Sequence, residues 1–152
     1  MRYVVDASVI TKMLAREAGS KTAQNVLAAA VKNQVTLIAL SVLIYEVGIA
    51  LTRKGFRART MREKMHALTA MSQVDLIEIV EVDADLLFQS SQMALEISGN
   101  AERPWFNDCI YYQLAEREQA TLLTAGGKFM QRLQKFTRFQ TSVVLLNDVK
   151  TS

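Results

Sequence analysis

The strongest constraint on the fold of this chain is an alternation of short apolar segments with stretches of helical spacing. Five such segments are rich in Val, Ile and Leu, and they lie at about residues 2–6, 35–39, 76–81, 121–124 and 142–146. Strands of this composition are typical of parallel sheets that helices cover on both faces. The alternation therefore predicts an α/β sandwich with a central parallel sheet of about five strands.

Capping residues and glycines predict where the intervening helices begin and end. The predicted helices run from about 8 to 17, from Ser20 as N-cap to about Asn33, from Ser41 as N-cap to Gly55 as C′ residue, from the capping box of Thr60 and Glu63 to about Ser72, from Asp83 to Gly99, from Asn107 to about Gln119, and over about 128–135. The only proline, Pro104, lies in a stretch from Gly99 to Phe106 that we interpret as an irregular loop.

The length and composition favour one domain inside the cell. The 152 residues suit a single domain spanning 1–152, and no repeat or linker divides them. The longest apolar runs are far too short to cross a membrane, and no long apolar segment follows the N-terminus as in a signal peptide. The single cysteine, Cys109, excludes an internal disulfide and fits a reducing compartment. We therefore expect a cytoplasmic protein without a membrane partner.

Three acidic residues stand in otherwise apolar surroundings close to predicted strand ends. Asp6 ends the first strand, Glu46 lies one turn into the helix after the second, and Asp108 lies in the first turn of the helix before the fourth. In open parallel sheets, ligands bind beyond the carboxyl ends of the strands. We therefore expect these three carboxylates to meet at that edge.

Each acid also has a structural interpretation that the sequence leaves open. Asp6 is a suitable N-cap for the first helix. Glu46 could turn to solvent at the edge of the sheet. Asp108 could complement the dipole of its helix beside Asn107. The shared placement of the three, rather than any one of them, favours a functional site.

Three clustered carboxylates repel one another, and a bound cation removes that repulsion. Sites with only oxygen ligands suit a hard ion such as Mg²⁺ or Mn²⁺. Such an ion can activate water for phosphodiester hydrolysis. A dinucleotide-binding fold is not favoured, because no glycine-rich turn follows the first strand.

Basic residues crowd two stretches, although the net charge is only +3. Each stretch is either a solvated helix face or a surface that holds phosphates through salt-sensitive contacts. The first set is the stronger candidate for binding RNA or a partner: Arg53, Lys54, Arg57, Arg59 and Arg62, with Lys64 beside them. The second comprises Lys128, Arg132, Lys135 and Arg138.

Four segments together resemble the PIN-domain family, in particular VapC-like toxin ribonucleases. They are Tyr3-Val4-Val5-Asp6-Ala7-Ser8-Val9-Ile10, the helical segment from Ser41 to Leu51 around Glu46, the segment from Asn107 to Glu116 around Asp108, and Thr121-Leu122-Leu123-Thr124-Ala125-Gly126-Gly127-Lys128-Phe129. The resemblance spans nearly the whole chain and keeps the four segments in order.

The resemblance implies a sheet ordered 3-2-1-4-5 and Mg²⁺- or Mn²⁺-dependent cleavage of RNA. It makes Asp6, Glu46 and Asp108 catalytic metal ligands, with Ser8 as a nearby polar support. It also implies a toxin, usually a homodimer, that a cognate antitoxin protein binds.

One position departs from the family pattern. The turn after the fourth strand commonly carries a further acid, and here that position is Gly126. Thr124 could still orient a water or a carboxylate from behind the site. The departure keeps a second hypothesis open, in which the chain is a PIN-like module that binds RNA or protein and cleaves weakly or not at all.

Overall fold

The computed structural model describes residues 1–98, 105–139 and 141–149, and one parallel sheet organises them. Its strand order is β3-β2-β1-β4-β5, which confirms the predicted α/β sandwich and the order 3-2-1-4-5. The strands are β1 (Arg2–Val5), β2 (Thr36–Leu40), β3 (Ile77–Val80), β4 (Thr121–Thr124) and β5 (Val143–Leu145).

The first strand lies at the centre of the sheet. Tyr3 is in register with Leu37 of β2 on one side and with Thr121 of β4 on the other. The chain adds β2 and β3 to one side of β1 and β4 and β5 to the other, so the strand order reverses at β1. Such a switch point opens a crevice outside the carboxyl ends of the central strands.

Seven helices connect the strands within the described residues. They are α1 (Ala7–Leu14), α2 (Ser20–Val31), α3 (Leu43–Arg53), α4 (Ala58–Gln73), α5 (Ala84–Ser98), α6 (Phe106–Arg117) and α7 (Gly127–Leu133). Two predicted helix ends are confirmed. The backbone amide of Leu86 donates to Asp83 at the start of α5, and Gly55 follows α3 in the left-handed region with φ of 71°.

Four predicted helix starts are wrong by one to three residues. Ser20 is the first residue of α2, and its hydroxyl donates to the carbonyl of Ala15 at 2.6 Å. The N-cap of α3 is Val42 rather than Ser41, and the N-cap of α6 is Trp105 rather than Asn107. The fourth, α4, begins at Ala58, two residues before Thr60.

Apolar packing explains why the local capping signals do not determine where these helices begin. Leu43, in the first turn of α3, is fully buried. Trp105 packs on Phe129 of α7 with ring centroids 6.2 Å apart, which holds the start of α6. Burial of such side chains stabilises a protein by about 1.5–3 kcal/mol each, whereas a side-chain cap contributes about 1 kcal/mol. Tertiary contacts therefore set these helix starts.

The core lies between the sheet and its covering helices. Its largest fully buried side chains include Ile10, Ile38, Leu40, Leu51, Met93 and Tyr112. Within the described ranges, no helix has the length and apolar character needed to span a membrane. The predicted loop around Pro104 lies outside the described residues, apart from Trp105 and Phe106.

Candidate functional site

The first predicted acid lies where β1 passes into α1. Asp6 is the N-cap of α1, and its Oδ1 accepts from the backbone amides of Ser8 at 2.9 Å and Val9 at 3.1 Å. Burial raises the pKa of the Asp6 carboxyl, and hydrogen bonds from Ser8 and Thr124 oppose this rise. Asp6 thus does serve as an N-cap, through one carboxylate oxygen. The cap uses Oδ1, and Thr124 adds a further hydrogen bond to the same carboxyl group.

The second acid projects from the first turn of α3. Glu46 is partly buried, and its Oε2 accepts from the phenol of Tyr111 on α6 at 2.5 Å. Burial raises the pKa of the Glu46 carboxyl, and the negative charge of Asp6 raises it further. Glu46 therefore faces the other acids across the crevice and does not turn to open solvent.

The third acid lies in the first turn of α6. Burial raises the pKa of Asp108 to about 6, and the charges of Asp6 and Glu46 contribute to that rise. Burial also raises the pKa of the neighbouring Cys109 thiol to about 12, so this thiol is inert. Complementing the helix dipole would lower the pKa of Asp108. The direction of the shift instead follows burial and the charges of Asp6 and Glu46.

All three acids line one cleft of about 280 Å³ at the carboxyl edge of the sheet. Ala7, Ser8, Ile49, Arg53, Asn107 and Tyr111 complete its wall. Each acid comes from a different element, as their positions in the sequence predicted. Each has a raised pKa, so the metal-free site holds negative charge at a free-energy cost.

The donor set of this cleft fits a hard divalent cation, although its side chains are not arranged around one. Across the ranges that the structure describes, no three His, Cys, Asp or Glu side chains are positioned to hold a metal ion together. Protein hydrogen bonds already engage Asp6 Oδ1 and Glu46 Oε2, and Thr124 also hydrogen-bonds to Asp6.

Ser8 and Thr124 lie beside Asp6 and connect two turns. The Ser8 hydroxyl donates to Asp6 Oδ1 at 2.5 Å and accepts from the backbone amide of Ala125 at 2.9 Å. Thr124 is buried, and its Oγ1 accepts from the backbone amide of Gly126 at 3.1 Å. The turn after β4 is thereby tied to the first acid.

The basic residues predicted to bind RNA or a partner fall into two groups. Arg53 lines the acidic cleft, and Lys54 follows it at the end of α3. The other three, Arg57, Arg59 and Arg62, are exposed at the N-terminal end of α4, where Arg59 pairs with Glu63 at 3.1 Å. The neighbouring Lys64 instead donates to the carbonyl of Leu14.

The second basic stretch is partly used within the fold. Arg132 donates to the carbonyl of Ile97, and Arg138 pairs with Glu96. These two side chains therefore have structural partners, which favours the interpretation of this stretch as a solvated helix face.

Tyr111 is the site residue that sequence reasoning missed. It lies three positions after Asp108, so both project from the same face of α6. That spacing is the signal that could have identified it. On α3, Ile49 and Arg53 lie three and seven positions after Glu46, so they project from the same face of that helix as Glu46.

Solved structures with the same fold come from toxin–antitoxin systems. VapC20 from Mycobacterium tuberculosis, described as a Sarcin-Ricin loop cleaving toxin, is 17% identical with a TM-score of 0.65, over 85% of this chain and 93% of VapC20. VapBC2 from Rickettsia felis, bound to a DNA fragment from its promoter, is 16% identical with a TM-score of 0.66, over 95% and 98%. PAE2754 from Pyrobaculum aerophilum is 20% identical with a TM-score of 0.58, over 97% and 90%.

Because these sequence identities are low, the structural comparisons establish the fold alone. No curated protein sequence matches the chain. The family model of the PIN domain, by contrast, matches residues 3–135, which include β1 to β4 and all three acids of the cleft. The chain belongs to the PIN domain family.

Proposed function

We propose that this protein is a metal-dependent endoribonuclease that hydrolyses RNA phosphodiester bonds. The observation that carries the proposal is the cleft into which three separate elements each bring a carboxylate with a raised pKa. Clustered acids weaken a fold unless a cation offsets their repulsion. A catalytic metal centre would account for a cluster of acids that otherwise destabilises the fold.

In this proposal Asp6, Glu46 and Asp108 hold Mg²⁺ or Mn²⁺ and are the catalytic residues. The chemistry that such an ion supplies is activation of water and stabilisation of charge on the phosphate. The remaining residues set the orientation of the ligands. Ser8 and Thr124 hold Asp6, and Tyr111 holds Glu46.

We further propose that the protein is the toxin of a type II toxin–antitoxin pair. The solved structures of the same fold include VapC20 and complexes such as VapBC2, which supports an antitoxin protein as partner. A cytoplasmic homodimer is part of the same proposal. A small gene for an antitoxin next to this one would support it, and the lack of such a gene would favour another role.

The decisive experiment incubates the protein with single-stranded and structured RNA in Mn²⁺, Mg²⁺ or EDTA. We expect cleavage with either ion and none in EDTA. Cleavage that persists in EDTA would contradict the metal-dependent mechanism.

A second function remains a candidate because of Gly126. The chain could be a PIN-like module that binds RNA or a partner protein with little or no cleavage. The lack of a fourth acid at this turn, and of a preformed three-ligand arrangement in the described residues, favours this alternative. RNA binding without cleavage in any of the three conditions would support it.

Restoring an acid at the turn after β4 is expected to increase cleavage. Gly126 is the N-cap of α7 with φ of −103°, so a side chain is not strained there. A Cβ at this position would have Thr124 Oγ1 as its nearest contact, at 3.8 Å. We expect Gly126→Asp to raise the cleavage rate and to lower the metal concentration required, because its charge helps to hold a second ion.

The matched control is Gly126→Asn. Asp and Asn both cap helices well, so both variants should stabilise α7 by about a few tenths of a kcal/mol relative to Gly. Only Asp adds charge. Cleavage rates are compared across Mn²⁺ and Mg²⁺ concentrations for the wild type and both variants. Equal rates for Asp and Asn would show that charge at this position is irrelevant.

The three exposed arginines at the N-terminal end of α4 are expected to contribute to RNA binding. Replacing Arg57, Arg59 and Arg62 with Ser should weaken binding and reduce its dependence on salt concentration, because fewer phosphates are neutralised. Affinity is measured over a roughly fourfold range of salt concentration, from about 50 to about 200 mM. An unchanged salt slope would identify these charges as a solvated face or a protein interface.

A further inference from the structure

A second groove adjoins the acidic cleft and carries the opposite charge. It has a volume of about 640 Å³, and its charged lining residues are Lys12, Glu17, Arg53 and Lys54. We call it the basic groove. It shares Ala7, Ser8 and Arg53 with the acidic cleft, so the two are continuous. Three cations against one carboxylate give it a positive charge.

Two of the three cations are held in place by the carboxylate. Lys54 pairs with Glu17, and Lys12 approaches the other oxygen of Glu17 at 3.4 Å. Lys12 also donates to the carbonyl of Ala18 at 2.7 Å. The hydrogen bond from Lys54 holds the pKa of Glu17 below its usual range. This network fixes one wall of the groove and leaves one positive charge in excess on it.

The third cation, Arg53, is free to bind a ligand. Among the described parts of the chain, its guanidinium has no hydrogen bond or ion pair. It lines both the acidic cleft and the basic groove, so Arg53 stands at the junction of the two sites.

We propose that Arg53 and the basic groove bind a backbone phosphate of single-stranded RNA next to the phosphodiester that is cleaved. The inference rests on the proposed ribonuclease function and assigns the path of its substrate. A guanidinium presents a planar fork of donors that matches a phosphate group. The acidic cleft repels phosphates unless a cation is bound, whereas the basic groove attracts them directly.

The continuity of the two sites favours nucleic acid over an acidic protein segment. With a cation at the acids both sites attract anions, so the occupant needs anionic groups at successive positions along one chain. RNA carries one phosphate per nucleotide, so one phosphate can lie at the metal-binding acids while its neighbour lies in the groove. Arg53 is then a positioning residue that sets which linkage reaches the acids.

The test measures RNA binding without cleavage. All variants carry Asp108→Asn to suppress cleavage, and binding is measured both with Mn²⁺ and in EDTA, so that it is read independently of catalysis. The probes are a single-stranded oligonucleotide and versions in which one phosphodiester at a time is replaced by an uncharged methylphosphonate. Arg53→Gln is compared with Lys32→Gln, which removes an exposed positive charge at the C-terminal end of α2.

We expect Arg53→Gln to weaken binding about tenfold, the typical effect of losing a hydrogen bond to a charged group, and to lower the salt slope by about 0.7. At one position, the methylphosphonate should weaken RNA binding by the parent protein by a similar factor. The same replacement should leave RNA binding by the Arg53→Gln variant unchanged. Lys32→Gln should retain the sensitivity of the parent.

Arg53→Gln and Lys32→Gln proteins with the same affinity and salt slope would overturn the inference. So would an effect of Arg53→Gln that is confined to binding of a partner protein. A different result would contradict the proposed ribonuclease function: a wild-type protein that shows no metal-dependent cleavage of RNA. A wild type that cleaves RNA while Arg53→Gln binds it normally would contradict the groove alone.

Discussion

Replacing Asp108 with Asn is expected to reduce metal-dependent RNA cleavage by at least about 100-fold while the fold stays intact. Asn keeps the shape of the side chain but loses the charge that attracts a divalent cation. Even residues that only support metal ligands typically change activity by about 10–100-fold, so loss of a ligand should exceed that range. Cleavage and circular dichroism are measured on the same preparation.

The matched control for this change is Asp85→Asn. Asp85 also lies in the first turn of a helix, α5, but is exposed and outside the cleft. The same chemical change there should leave the cleavage rate within about twofold, since surface substitutions rarely exceed ±0.5 kcal/mol. Undiminished cleavage by Asp108→Asn would refute its assignment as a metal ligand.

In the absence of metal, the protein is expected to lose stability as the pH rises through about 6. The folded-state pKa of Asp108 is about 6, above its ordinary value of 3.8. The folded protein therefore binds a proton that the unfolded chain releases, and stability falls with pH between these two values. The full effect is about 3 kcal/mol for this group, of which about half is lost between pH 5 and 8.

The same argument predicts that Asp108→Asn stabilises the metal-free protein at pH 8. Removing the group should recover up to about 3 kcal/mol, or roughly 6–12 °C in Tm for a domain of this size. A carboxylate that merely supports its helix would give the opposite sign, because its removal would destabilise the protein. The predicted gain is therefore specific to a repulsive cluster.

Thermal unfolding in EDTA at pH 5 and pH 8 measures both effects, with Asp85→Asn as control. Saturating Mn²⁺ at pH 8 should stabilise the wild type, since a ligand at 100 times its Kd contributes about 2.7 kcal/mol. Asp108→Asn should respond much less to Mn²⁺. A wild type whose Tm rises between pH 5 and pH 8 in EDTA would contradict the predicted linkage.

The parallel sheet could be predicted from the sequence because each strand carries its own signal. A buried parallel strand is a short continuous apolar run, and all five runs match observed strands to within one residue at each end. Helix starts were less predictable. The signals at Ser41, Thr60 and Asn107 are local, whereas the observed starts follow the burial of side chains such as Leu43 against distant parts of the chain.

The candidate site was partly predictable for the same reason. The three acids could be placed at one edge because their positions relative to strand ends are visible in the sequence. The hydrogen bonds that orient them could not. Tyr111 and Glu46 are 65 positions apart, and Ser8 and Ala125 are 117 positions apart. No local pattern specifies contacts between residues so far separated.

The central position of β1 also governs when the site can form during synthesis. β1 precedes the other four strands of the sheet in the chain, and it pairs on one side with β2 but on the other with β4, which contains residues 121–124. Asp6 is oriented through Ser8 and Ala125, and Asp108 is itself translated late. A nascent chain that ends before residue 108 has the first two acids but neither the third nor the strand β4. Domains assembled from such distant pairings fold late and slowly, so the acidic cleft is complete only when more than four-fifths of the 152 residues have been made.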